Sequence, residues 1–380
     1  MPKKIMILAG EPSGDMHGAN LARELKALAP DIDICGIGTE KMRQEGVRLF
    51  RDMKDLSVVG IFDVLKKLGP ILSLMKLLVK KLQDEKPDAV VLIDYPGFNL
   101  KFAEEAKKRN ITVIYYISPQ IWAWHPERIN KIKRCVDKMI VVFDFEEKLY
   151  KENNVDVSFV GHPLLDMAKP AMDKKSALRK FGLEDKLFTV GILPGSRKSE
   201  LNYNLPAMIG AATIIKDKFH EDVGFVLLKS PSLPADEYEK ITKHSHLDIP
   251  LVENSNYDVI NVCDALMVCS GTATLETAVI GKPMVIIYKV SKLSWFLFRP
   301  LVKVPNIGLA NIVAGKTVVP ELLQNDASAL KIAEEITSML IDKQRSQEIK
   351  EEFEIVKKKL GTPGASQRAA KIIFDFISKR

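Results

Sequence analysis

Short apolar runs alternate with amphipathic stretches along the whole chain, and this alternation limits the fold more than any single motif does. Strands that recur between helical segments pair side by side in parallel sheets, with helices covering both faces. The predicted strands of the first half are 5–9, 32–37, 89–93, 112–117 and 138–142. Those of the second half are 188–193, 224–228, 265–268 and 284–287. Between the two sets lies HPLLDMAKPAMDKKSALRKFG, whose Pro163 and Pro170 mark an interdomain connection. Each half opens alike, a strand entering a small-residue loop and then a helix: IMILAGEPSGDMHGANLARELK in the first, TVGILPGSRKSELNYNLPAMI in the second. The expected fold class is α/β, two Rossmann-like domains facing a cleft.

The totals agree with two domains. A chain of 380 residues exceeds one ordinary core, and 46% hydrophobic with 28% charged residues is a globular composition. No apolar run reaches the span of a bilayer. The opening MPKKIMILAGEPSGD is too short in its apolar part for a signal peptide and meets Glu11 and Asp15 at once. Cys35, Cys135, Cys263 and Cys269 are scattered and form no Cys-x-x-Cys pair, which disfavours a disulfide framework or zinc site and suits a reduced cytoplasm. A net charge of +7 fits anionic ligands or an anionic membrane surface. Nucleic acid is not expected, since neither zinc-finger spacing nor an aromatic RNA-binding signature is present.

Four constellations could carry chemistry. In VVLIDYPGFNL, Asp94 ends a strand just before a Pro-Gly turn, where ligands of parallel sheets bind, and it is the candidate general base. Aspartates in that position also commonly cap the next helix. The loop GEPSGD, Gly10 to Asp15, sets Ser13 between strand and helix, either as an anion cradle or as a tight turn capped by Asp15. In LPGSRKSEL, Gly195 and Ser196 let the backbone approach a ligand, and Arg197 either pairs with phosphate oxygens or caps the turn. In CSGTATLETAVIGKP, Ser270, Gly271 and Thr272 begin a helix at a strand end, with Glu276 one turn in, suited to the two hydroxyls of a ribose. Thr272 to Glu276 is one residue too long for a capping box.

Other signals carry less. Asp31 and Asp33 spell Asp-x-Asp but precede a strand, at the wrong end for a metal-assisted transfer. His244 and His246 sit in a polar loop, whereas His17 and His125 lie near strand ends where a group titrating near neutrality could act. In YYISPQIWAWHPERINKIKRC, Trp122 and Trp124 either plug the core or wall an acyl or sugar pocket, with Arg128 and Lys131 behind them. The segment 61–82 carries Leu65, Leu68, Leu72, Met75, Leu78 and Leu82 among lysines that include Lys80 and Lys81, with Gly69 and Pro70 expected to divide it into two helices. It reads as an interfacial membrane helix or as a core helix with a solvated lysine face.

Taken together, the motifs resemble one family, lipid-A-disaccharide synthase, an inverting glycosyltransferase of the GT-B type. The resemblance rests on seven segments in order: AGEPSGDMHGA, IDYPGFN, YYISPQIWAWHPERI, FVGHPLLD, ILPGSRKSEL, CSGTATLETAVIGKPMVIIYK and NIGLANIVAGKTVVPELLQ. It implies transfer of 2,3-diacylglucosamine from its UDP ester to 2,3-diacylglucosamine 1-phosphate, with no cofactor and no metal. It implies a peripheral enzyme on the cytoplasmic side of the inner membrane in Gram-negative bacteria. Carried over residue by residue, Asp94 is the base; Gly195, Ser196, Arg197, Ser270, Gly271 and Thr272 hold the UDP phosphates; Glu276 holds the ribose. Asn311 and Gln324 fall near the phosphate or donor sugar, while Ser13, Asp15 and His17 face the cleft from the first domain. Trp122, Trp124 and Arg128 contact acceptor or acyl chain.

The implied domains are 1–165 for acceptor and membrane, 166–360 for the donor, and a last helix, 361–380, lying back on the first domain or on a second subunit of a homodimer. Two departures stand out: Glu-Pro-Ser where Glu-Ala-Ser is usual, and Gly97 where a second carboxylate often stands. The rival readings are another GT-B enzyme of UDP-N-acetylglucosamine, a peptidoglycan glycosyltransferase or 2-epimerase, and a non-catalytic binder of lipid or nucleotide sugar.

Overall fold

The computed structural model describes residues 2–10, 12–53, 68–184, 186–243, 245–291, 295–296 and 304–379. Leu65 and His244 lie outside the described residues. The chain divides into two compact units, Met1–Pro163 with Leu360–Arg380, and Leu164–Lys359.

Among the described residues the first unit is built on a seven-stranded sheet. Its strands are β1 (Lys4–Ala9), β2 (Asp33–Gly38), β3 (Arg48–Asp52), β4 (Ala89–Ile93), β5 (Thr112–Tyr116), β6 (Lys138–Val141) and β7 (Val157–Phe159). Their order is β3-β2-β1-β4-β5-β6-β7, and every pairing is parallel. The central strands β4 and β5 are buried at every residue, as they must be when helices cover both faces. On one face Met6, Leu8, Val90, Leu92 and Tyr115 share a core with Phe102 of the helix Pro96–Lys107 and with Leu74, Leu78 and Leu82 of the helix Leu68–Glu85. The four-residue spacing of those leucines puts them on one helical stripe, and each such burial contributes about 2 kcal/mol. The final helix, Ala365–Ser378, packs on the helix Pro12–Leu28, and Arg368 donates to the Val160 carbonyl at 2.9 Å through Nε.

Gly69 and Pro70 fall in the first turn of the helix Leu68–Glu85, and residues 61–67, on which the first of the two expected helices falls, lie outside the described residues. Proline is tolerated in a first turn because the first N–H groups have no partner within the helix.

Among the described residues the second unit has six parallel strands: β8 (Phe188–Leu193), β9 (Val223–Leu228), β10 (Leu251–Val252), β11 (Ala265–Cys269), β12 (Met284–Tyr288) and β13 (Glu321–Leu323). Their order is β10-β9-β8-β11-β12-β13. Of the proline-marked connection, Leu164 onward belongs to this unit. The buried Asp258 carboxylate fastens it there by accepting from the N–H groups of Ala171 and Met172 at 2.8 and 2.9 Å.

Candidate active site

In each sheet the strand order reverses at one point, between β1 and β4 in the first and between β8 and β11 in the second. Ligands of such sheets bind beyond the carboxyl ends of the strands flanking that reversal. β1 ends at Ala9 opposite Ile93, the last residue of β4, so Gly10 and Asp94 emerge side by side.

Asp94 and Tyr95 both take the left-handed conformation, with φ of 47° at each. Such a pair costs roughly 1–3 kcal/mol per residue and persists only where neighbours impose it. Here the Asp94 carbonyl accepts from Asn99 Nδ2 at 2.8 Å and from the Tyr115 hydroxyl at 2.5 Å. Asn99 Nδ2 also donates to the Ile93 carbonyl at 3.1 Å. Burial, aided by the charge of Asp94, pushes the Tyr115 phenol well above its ordinary value, so it stays a donor. The Tyr95 ring lies on Gly10, where an added Cβ would stand 2.6 Å from a ring carbon. Only glycine fits. The Asp94 side chain itself is partly exposed.

The residues of the first loop behave differently from expectation. Ser13 is exposed, but Asp15 is 1% exposed and accepts from Thr39 N at 2.5 Å, Thr39 Oγ1 at 2.6 Å and Lys41 N at 3.2 Å. Its carboxylate is consumed in holding the start of the helix Glu40–Gln44, which corrects the expectation that it faces a ligand. His17 is correspondingly not a group that titrates near neutrality. Burial, with the charge of Lys41 adding to it, lowers His17 to about 4, and burial with a contribution from His17 lowers His162 to about 3. His125 is exposed, with Nδ1 2.8 Å from Glu127 Oε1.

The two tryptophans differ in their surroundings. Trp122 donates its indole N–H to Glu146 Oε1 at 3.0 Å and sets its ring edge-on to Phe145 at 5.2 Å. Ser118 Oγ donates to the same oxygen at 2.8 Å. Glu146 is 1% exposed and burial raises its carboxyl to about 7. Sequence reasoning missed it, because an acid in the first turn of the helix Asp144–Glu152 reads as a response to the helix dipole. Trp124 and Arg128 remain at least partly exposed.

On the helix Leu68–Glu85, Leu72 is 61% exposed, Met75 and Lys81 are partly exposed, and Lys80 is exposed. Leu78 is 0% exposed, a core residue rather than a membrane contact, because it lies on the stripe facing the sheet. The backbone of Leu68 opens this helix. Among the described residues no helix is long and apolar enough to cross a membrane.

The second unit's loops also gather at its reversal. After β8, Gly195 has φ of +111°, and a Cβ there would stand 2.5 Å from Glu200 Oε2. That oxygen accepts from Ser196 N at 3.0 Å and Arg197 N at 3.3 Å, and Arg197 Nη1 donates to Glu200 Oε1 at 3.1 Å. Arg197 therefore occupies the N-cap position of the helix Lys198–Phe219, where Glu200 accepts the free N–H groups, while half of the arginine side chain stays exposed. Asn204, one turn further and fully buried, accepts from Lys289 N at 2.8 Å and ties this helix to the end of β12. Neither Glu200 nor Asn204 was foreseen, although Glu three residues beyond Arg197 is the spacing of a capping box.

After β11, Ser270 Oγ donates to the Ile307 carbonyl at 3.0 Å. Gly271 then precedes the helix Thr272–Ile280 with no side-chain cap, and Thr272 is exposed. Glu276 caps nothing. Among the described residues its carboxyl makes no hydrogen bond or ion pair, and burial alone raises it to about 7.

Asn311 is corrected. It is 0% exposed, donates to Val319 O at 2.9 Å and Glu321 Oε1 at 2.8 Å, and accepts from Val318 N at 2.8 Å and Val319 N at 3.1 Å. Its amide is fully used within the fold, leaving nothing for a donor sugar. Gln324, at the end of β13 with φ of 49°, accepts from Val290 N at 3.4 Å. Its buried Nε2 has no partner among the described residues.

The sequence profile of the family described as lipid-A-disaccharide synthetase matches residues 5–374. The chain is 46% identical to the lipid-A-disaccharide synthase of Syntrophus aciditrophicus, covering 99% of this chain and 98% of that one. It is 41% identical to the enzyme of the same name from Coxiella burnetii, covering 99% of each. Among solved structures it resembles the UDP-N-acetylglucosamine 2-epimerase of Neisseria meningitidis bound to UDP-N-acetylglucosamine, with a TM-score of 0.59, 15% identity and coverage of 99% and 100%. It also resembles Anabaena HepE in complex with UDP and glucose, with a TM-score of 0.58, 13% identity and coverage of 98% and 99%. At these identities the structural likeness establishes the fold, two parallel α/β sheets of the GT-B type.

Proposed function

Because the chain belongs to the lipid-A-disaccharide synthase family, glycosyltransferases that form the lipid A disaccharide, we propose that its donor is UDP-2,3-diacylglucosamine and its acceptor 2,3-diacylglucosamine 1-phosphate. The products are the β-1′,6-linked disaccharide 1-phosphate and UDP. The Asp94 carboxylate takes the proton of the acceptor 6-hydroxyl as that oxygen attacks the anomeric carbon. The bond from that carbon to the diphosphate breaks on the opposite face, so the configuration inverts. Charge on the departing UDP is met by the exposed part of Arg197, the loop Gly195–Ser196, and the N–H groups of the helix that begins at Thr272 beyond Ser270 and Gly271. No metal enters the reading. Glu276 accepts the ribose hydroxyls, and the unsatisfied Nε2 of Gln324 offers a donor to the same ligand.

The observation that carries this reading is the strained, doubly anchored turn that presents Asp94 where the first sheet's strand order reverses. Backbone strain concentrates at functional sites. Exposed Leu72 and Lys80 support peripheral attachment of the first unit to an anionic inner-membrane surface, with the Leu72 side chain entering the headgroup layer. Trp124 and Arg128 are the acceptor-side contacts.

The test is product identification. The purified chain is incubated with the two diacylated substrates, with and without EDTA, and the products are followed by mass spectrometry. A disaccharide 1-phosphate and equimolar UDP in both samples are expected. Free diacylglucosamine, a 2-epimer of the donor, or activity abolished by EDTA would defeat the proposal.

A further inference from the structure

The second unit has another recess, at the amino-terminal edge of its sheet and so at the opposite end of the strands from Arg197 and Ser270. A cavity of about 340 Å3 opens where β8 and β11 begin, bounded by Phe188, Asp264, Lys282, Lys343, Ser346 and Lys350. Three lysines face one carboxylate there, and that carboxylate is already engaged. Asp264 Oδ1 pairs with Lys174 Nζ at 3.0 Å, and its Oδ2 accepts from Thr189 N at 2.9 Å. Among the described residues the amino groups of Lys282, Lys343 and Lys350 have no hydrogen bond or ion pair.

Lys282 is partly buried, and its pKa is lowered by that burial and then by the charge of Lys174, with Lys350 adding to it. Lys343 stands in the first turn of the helix Lys343–Lys359, where the helix dipole disfavours a cation. Lys343, Ser346, Gln347 and Lys350 follow at spacings of three, four and seven, which aligns them on one helical face. Gln347 already donates to Glu351 Oε1 at 3.0 Å, which leaves Lys343, Ser346 and Lys350 as the donors of that face. One compact anion would relieve the mutual repulsion of the lysines and fill the donors together.

We infer that this recess binds the phosphate-type oxyanion of a small phosphorylated metabolite, with Lys282 as its innermost ligand and Lys343, Ser346 and Lys350 closing over it. Its volume of about 340 Å3 has room for a phosphate with a few further atoms. Lys282 follows Gly281, the residue that ends the helix Thr272–Ile280, so the anion is held at the far end of the helix whose start carries Thr272.

The probe is inorganic pyrophosphate, titrated calorimetrically at fixed ionic strength so that general screening is constant. The full-length Arg197→Ala chain is used, to remove the contact proposed for the donor diphosphate. Saturable binding is expected in this chain, weakened at least tenfold by adding Lys282→Met with Lys350→Met. Lys343→Glu with Lys350→Glu, both at exposed positions that the core does not need, is expected to abolish it while the far-ultraviolet circular dichroism is unchanged. Absence of saturable binding in the Arg197→Ala chain, or affinity unaltered by either lysine pair, overturns the inference.

Discussion

Glu276→Gln is expected to make the protein more stable and bind UDP less well. Burial alone moves the Glu276 carboxyl from an ordinary 4.5 to about 7, with no partner among the described residues to offset it. At about 1.4 kcal/mol per tenfold change, the ionised form in the folded chain is disfavoured by up to about 3 kcal/mol. Because part of the side chain still meets water, about 1–2 kcal/mol is the working figure. The sign follows from linkage. A carboxyl raised by folding leaves stability intact below the unfolded value near 4.5 and removes it as pH rises through about 7. Glutamine does not titrate. In urea unfolding, the variant is therefore expected to match wild type near pH 4 and exceed it by about 1–2 kcal/mol at pH 8.5. UDP affinity, by calorimetry at pH 8, is expected to fall about tenfold, since an amide replaces the charged acceptor of the ribose hydroxyls. A variant less stable than wild type at pH 8.5 would refute the reasoning, because it would mean that the carboxylate is already compensated.

Two further outcomes follow from other sites. Asn311→Ala leaves the N–H groups of Val318 and Val319 and the Val319 carbonyl without their present partner, and a loss of about 2–4 kcal/mol in urea unfolding is expected. Unchanged stability would show that the amide does not organise the segment between β12 and β13. Replacing Leu72 by Ser is expected to weaken binding to vesicles containing anionic lipid about tenfold, with the unfolding curve unchanged, because Leu72 is 61% exposed and lies off the core that takes in Leu74, Met75, Leu78 and Leu82. Equal partitioning of variant and wild type would remove this helix from the membrane contact.

The strands legible in the sequence were the interior ones. Continuous apolar runs such as Ala89–Ile93 and Ala265–Cys269 are buried on both faces, and their composition announces it. The four strands that escaped notice, β3, β7, β10 and β13, are the four edges of the two sheets. They are two to five residues long and only partly buried, so they need no apolar run. The site loops were legible because glycine, serine and a charged residue between strand and helix form a local pattern. What was not legible was the destination of each side chain. Asp15 goes to a neighbouring helix start, Asn311 to its own loop, and Leu78 to the sheet, each decided by residues distant in sequence or by which helical stripe meets the core. The segment 304–324 is punctuated by Pro305, Gly308, Gly315 and Pro320, yet the Asn311–Glu321 pair at 2.8 Å organises a helix, Leu309–Ala314, and β13 within it.

The central claim is that Asp94 is the general base, and Asp94→Asn tests it most directly. Asparagine tolerates the left-handed turn, and Asn99 and Tyr115 anchor that turn through the main-chain carbonyl of residue 94, so the local fold is expected to survive. With both diacylated substrates saturating, UDP release is expected to fall about 100- to 10,000-fold while calorimetric UDP affinity is unchanged. A variant that binds UDP normally and transfers within about tenfold of the wild-type rate would contradict the account.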